Sequence, residues 1–119
     1  MAKIMIVDDS FFSRKNLREV LTQHGHEIIG EAEDGQSALA KYSLLKPDLV
    51  TLDITMPNMN GIDTLRELMN IDSNARVIMI TSLAQKTKIL EALKLGAKSY
   101  IAKPFEPDSM MGLVEDALK

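Results

Sequence analysis

Short apolar runs alternate with longer amphipathic stretches five times along this chain, a rhythm that few architectures can accommodate. Ile4-Met5-Ile6-Val7, Leu49-Val50-Thr51-Leu52 and Val77-Ile78-Met79-Ile80 are apolar almost without interruption, as strands covered on both faces must be. Glu27 to Ala32 is more polar and suits a sheet edge, and Tyr100-Ile101-Ala102 is a shorter fifth run. Between the runs the apolar period changes to that of a helix. Leu17, Val20, Leu21 and His24 fall on one face behind a Ser10 N-cap, and Gly25 closes the turn. The next helix starts near Asp34, puts Ala38, Tyr42 and Leu45 on one side and stops at Pro47. A third follows the turn-rich segment Met56-Pro57-Asn58-Met59-Asn60-Gly61 and turns Ile62, Leu65 and Met69 inward. The fourth carries Ile89, Ala92 and Leu93 and ends at Gly96; the last carries Met110, Leu113, Val114 and Ala117. Strict alternation of strand and helix implies parallel β-α-β units with right-handed crossovers, hence an α/β doubly wound sheet with helices on both faces.

A length of 119 residues suits one domain, here spanning 1–119, and the last predicted helix ends just before Lys119, which favours a stand-alone protein. There is no cysteine, so disulfides, zinc-thiolate sites and thiol nucleophiles are excluded. With 14 basic residues scattered among 17 acids, the net charge is -3, which argues against direct nucleic-acid binding. No apolar stretch has the length of a secretory signal or of a membrane span. A soluble, cytoplasmic protein without membrane insertion is the expectation.

In an open parallel α/β sheet, ligands bind beyond the carboxyl ends of the strands. That rule alone selects Asp8-Asp9 after the first strand, Asp53 after the third, Thr81-Ser82 after the fourth and Lys103 after the fifth. Two carboxylates ~5 Å apart repel by roughly 3 kcal/mol at an effective dielectric of ~20, so three together need a cation or raised pKa values. Hard oxygen donors favour Mg2+, which keeps waters that a phosphate can displace. Three ionised aspartates, one Mg2+ and Lys103 sum to zero, leaving a pocket that can accept an anion.

Asp8-Asp9, Asp53, Met56-Pro57-x-Met59-x-Gly61, Thr81, Tyr100 and Lys103-Pro104-Phe105, in register on their elements, resemble the response-regulator receiver domains, and most closely the CheY-type single-domain chemotaxis regulators. The resemblance runs through essentially the whole chain. It implies the flavodoxin-like (βα)5 fold with strand order 2-1-3-4-5. It implies that Asp53 accepts a phosphoryl group from a histidine kinase, with Asp9, Asp53 and the backbone carbonyl of Thr55 on Mg2+ and Asp8 acting through water. Asp8 and Asp9 are also expected to cap the first helix, whose N-terminus favours negative charge. Lys103, aimed inward by a cis bond to Pro104, would pair with Asp53 at rest and with the phosphoryl group afterwards. Thr81 would donate its hydroxyl to the phosphoryl group, and Tyr100 would swing into the space it vacates. Thr55 and Leu83 occupy the positions that flank the attacking water. Neither is acidic or an amide, so slow, unassisted hydrolysis is expected. A monomer is expected to signal by docking a target, such as a flagellar motor switch or another signalling protein. The docking face would be the one around Lys88, Glu91, Lys98 and Tyr100.

Each residue also has a plainer reading. Asp53 can be a turn residue, Lys103 a solvated lysine, Thr81 a strand end and Tyr100 a half-buried sheet tyrosine. The eight methionines fit core filler, and His24 and His26 stand too far from the strand ends to act there. A haloacid-dehalogenase-type phosphohydrolase would want a second aspartate where Thr55 stands. A flavodoxin-type flavin protein would not follow its first strand with two acids. A receiver domain of a longer regulator remains open.

Overall fold

The computed structural model describes residues 1–82 and 85–119, and within them strands and helices alternate as the apolar pattern requires. They run β1 (Lys3–Val7), α1 (Phe11–Gln23), β2 (Glu27–Ala32), α2 (Gly35–Leu45), β3 (Leu49–Asp53), α3 (Gly61–Ile71), β4 (Val77–Thr81), α4 (Lys86–Leu95), β5 (Ser99–Ala102) and α5 (Pro107–Leu118). The strands pair in parallel in the order β2-β1-β3-β4-β5, as expected, with the polar β2 at one edge. Among the described residues no helix is long and apolar enough to cross a membrane.

Successive strand residues face opposite sides, and both sides are covered. Met5, Val7, Val50, Leu52, Val77 and Met79 pack against Ala38 and Tyr42 of α2, Leu65 and Leu68 of α3, and Ala92 of α4. Ile4, Ile6, Leu49, Ile78, Ile80 and Ile101 pack against Leu17 and Leu21 of α1 and Met110 and Val114 of α5. The uninterrupted apolar runs are therefore the signature of two cores sharing one sheet. The methionines Met5, Met79 and Met110 are core filler. His26 is structural: buried, its Nδ1 accepts the Ala2 N–H at 3.1 Å and ties β2 to the start of β1.

Among the described residues, four of the five helix starts are marked by side chains. Ser10, Asp34 and Asn60 accept the backbone N–H three residues on, and Glu106 accepts those of Asp108 and Ser109. The expected capping role of Asp8 and Asp9 is corrected. Ser10 caps α1, and Asp8 Oδ1 instead accepts the Ser10 N–H at 2.8 Å, one step earlier. His24 does not join the inner face of α1; it is the exposed C-cap, where the helix ends before its period completes. Leu45 and Leu93, placed inward by period alone, are 38% and 39% exposed, because each sits at the rim of its helix's contact with the sheet.

The turn segment between β3 and α3 ends in a glycine for a steric reason. A Cβ on Gly61 would stand 2.2 Å from the Asp53 carbonyl oxygen and 2.6 Å from the Ile54 Cα, both backbone atoms. The Gly61 N–H donates to the Ile54 carbonyl at 2.7 Å, so α3 begins in direct contact with the end of β3. Gly61→Ala is expected to lower unfolding free energy by about 1–3 kcal/mol through overpacking. An unchanged denaturant midpoint would contradict this close approach.

Candidate functional site

The pairing register sets the floor of the site. Val7 lies opposite Leu52, Asp53 opposite Ile80, and Thr81 opposite Ala102. Parallel strands with matched ends bring Asp8, Asp9, Asp53, Thr81 and Lys103 to the same edge of the sheet. Asp8 is fully buried, Asp53 buried and Asp9 exposed. Each offers a carboxylate oxygen, and the three oxygens lie within 4.8 Å of one another.

Lys103 reaches in from β5, and its bond to Pro104 is cis, as the resemblance implied. It pairs with Asp53 as expected, and it also meets Asp8, which is nearer. Lys103 Nζ is 3.0 Å from Asp8 Oδ2 and 3.8 Å from Asp53 Oδ2, so the stronger pairing at rest is with Asp8. Asp8 is the more deeply buried carboxylate, and a counter-charge gains most where solvent screens least. Nζ also approaches Ser13 Oγ at 3.3 Å, a residue the sequence reading passed over. Ser13 follows the Ser10 cap by three residues, a spacing that could have placed it over the strand ends.

Lys103 compensates the three acids only in part. Burial, then the neighbouring Asp8 charge, pushes Asp53 from 3.8 up to about 6, against the opposing pull of Lys103 and the Thr55 N–H. That N–H stands 3.4 Å from Asp53 Oδ1. A buried carboxylate so raised, beside two others, has unmet demand for positive charge. Hard oxygens at this spacing fit a small divalent ion such as Mg2+.

Thr81 is buried, and its hydroxyl donates to the Ser82 carbonyl at 3.0 Å. Tyr100 is 44% exposed, so its ring lies outward. Between them Ser82, Ile89, Leu90 and Leu93 help line an open cavity of about 550 Å3. Lys88 and Lys98 are exposed; Glu91 is exposed but held by Arg66 Nη2 at 3.3 Å. Leu83, named as a flank of the water route, lies outside the described residues. Gln85, at the start of α4, was also missed: its amide contacts both Thr55 Oγ1 and Thr81 Oγ1. A single polar residue in a turn carries no signal in the sequence that could have found it.

Comparison with known proteins gives the same picture. A family model described as the response regulator receiver domain matches residues 4–115. The chemotaxis protein CheY of Thermotoga maritima is 48% identical over 109 residues, 92% of this chain and 91% of that protein. The CheY of Bacillus subtilis is 42% identical over 116 residues, 98% and 97% of the two chains. Among solved structures, the CheX-CheY-BeF3-Mg complex from Borrelia burgdorferi holds a chain with TM-score 0.94 and 41% identity, covering 98% of this chain and 89% of that one.

Proposed function

Since this chain belongs to the response regulator receiver family, we propose that Asp53 is its phosphoacceptor and that phosphorylation switches docking to a partner, in a chemotaxis pathway of the cytoplasm. The observation that carries the reading is the cluster itself: three strand-end carboxylate oxygens within 4.8 Å of one another, with the Lys103 ammonium 3.0 Å from Asp8. A helix cap or turn needs one such acid; nothing in folding asks for three.

Asp9, Asp53 and the Thr55 carbonyl would hold Mg2+, with Asp8 acting through water. Bound there, the ion offsets the charge on the phosphoryl oxygens. An Asp53 carboxylate oxygen attacks the phosphorus of a kinase phosphohistidine in line. The O–P bond forms as the N–P bond breaks, and the electron pair returns to the donor imidazole, leaving an acyl phosphate. Lys103, whose Nζ already stands 3.8 Å from Asp53 Oδ2, then shifts toward a phosphoryl oxygen. Thr81 turns its hydroxyl from the Ser82 carbonyl to the phosphoryl group, and Tyr100 rotates toward the cavity beside it, remodelling the α4-β5-α5 face. A target that prefers the remodelled face binds more tightly after phosphorylation. The protein is a regulator rather than a turnover enzyme. Its acyl phosphate decays slowly, because neither Thr55 nor Leu83 carries an acid or an amide that would position the attacking water.

Intact-mass measurement after acetyl phosphate and Mg2+ tests this. One added phosphoryl group is expected on the natural chain, none on Asp53→Asn and none in chelator. Removing the donor and following the decay, with Thr55→Asn in parallel, reads the lifetime. A phosphoryl group retained by Asp53→Asn would sink the proposal.

A further inference from the structure

We infer that Gln85 is a positioning residue that holds the switch threonine at rest, and that its loss favours the phosphorylated arrangement; the inference rests on the phosphoacceptor role proposed for Asp53. The amide of Gln85 makes contacts on both sides of the site. Its Nε2 donates to Thr55 Oγ1, two residues beyond Asp53 on the β3 side. Its Oε1 lies 3.5 Å from Thr81 Oγ1 on the β4 side, beside the Ser82 carbonyl that accepts the same hydroxyl at 3.0 Å. Thr81 has one hydroxyl proton, and at rest the acceptors within its reach are the Ser82 carbonyl and Gln85 Oε1. Donating to a phosphoryl oxygen requires that proton to leave them.

The position of Gln85 makes the arrangement specific. It stands at the N-cap of α4, where a side chain would ordinarily accept a helix N–H, yet it makes no capping bond. Its own backbone N–H goes to the Ser82 carbonyl at 3.1 Å, so the residue is fixed by its main chain while the amide is free to reach across. The side chain thus contributes nothing to starting its helix and joins two elements that flank the phosphoacceptor. A contact made only in the resting arrangement stabilises that arrangement alone and reduces affinity for any ligand that selects the other.

The test uses beryllofluoride as the phosphoryl mimic, with binding read from the fluorine resonance of the bound species at saturating Mg2+. A neutral hydrogen bond present in one state only biases an equilibrium about 2- to 10-fold, so Gln85→Ala should raise beryllofluoride affinity by that factor. Gln85→Ser removes the same amide while supplying a good helix cap, and should raise it equally, which separates the effect from damage to α4. Mg2+ affinity without beryllofluoride should be unchanged in both, since Gln85 contacts none of the three acids. Thr55→Val, which keeps the backbone carbonyl, should act only through Gln85, so adding it to Gln85→Ala should produce no further gain. Affinity that stays equal or falls in both Gln85 variants overturns the inference, as does simple additivity with Thr55→Val. A natural chain that binds no beryllofluoride at all overturns instead the phosphoacceptor reading beneath it.

Discussion

Replacing Asp53 by Asn should make the metal-free domain more stable, by about 2–3 kcal/mol near pH 8. The sign follows from the direction of the shift. Burial and the Asp8 charge raise Asp53 from 3.8 to about 6 in the folded state. Its contribution to stability is therefore fully present below pH 3.8 and is lost as pH rises through about 6. Above that, the folded state carries an ionised group that the unfolded chain would hold more comfortably. Asparagine keeps the shape without the charge, so the variant should lack this loss between pH 4 and 7, and the two chains should converge toward the acid end. Mg2+ should narrow the gap near pH 8 in proportion to its concentration, because the ion binds the natural cluster more tightly than the one with a charge removed. Chemical denaturation of both chains in chelator and in Mg2+, across that pH range, checks every part. A variant no more stable than the natural chain in chelator at pH 8 would mean that the cluster stores no electrostatic cost.

Such a cost is what a functional site leaves in a fold that is otherwise locally consistent. Elsewhere the sequence and the structure agree because each rule acts on its own. Apolar runs such as Val77-Ile78-Met79-Ile80 must be covered on both faces, and both cores draw alternate residues from them. Ser10 and Asp34 cap the helices that their positions announced. The rule that ligands gather at the carboxyl ends of strands then located the acids without any contact being known.

What could not be read depends on side chains choosing between near neighbours. Lys103 arrives from β5 toward two acids on β1 and β3, which are adjacent strands, and nothing in the spacing says which carboxylate it meets first. Burial decides it, and burial of single groups is a property of the packed molecule. Leu93 satisfies the helical period as well as Ala92 does, yet it lies at the rim beside Tyr100 and stays partly exposed. Gln85 is legible only after β3 and β4 have brought Thr55 and Thr81 within the span of one amide.

The choice made by Lys103 has a testable consequence with opposite signs in two measurements. Lys103→Met should raise Mg2+ affinity about tenfold, because an ammonium held among the same acids repels the incoming ion. It should lower the rate of phosphoryl incorporation from acetyl phosphate about 10- to 100-fold, the cost of one charge-assisted hydrogen bond to the transferring group. Without metal, the fully buried Asp8 would lose the partner 3.0 Å away. Lys103 is 31% exposed, which screens the pair, so the stability lost near neutral pH should be about 2 kcal/mol rather than the full penalty of an orphaned buried charge. A lysine that merely braces Asp8 would show the stability loss and the tighter metal binding, while leaving the rate at saturating Mg2+ untouched. Calorimetric titration of the ion and a mass-resolved time course of phosphorylation separate the two outcomes. If the rate held while the affinity rose, Lys103 would be a structural counter-ion of Asp8, and the phosphoryl oxygens would have to find their positive partner elsewhere.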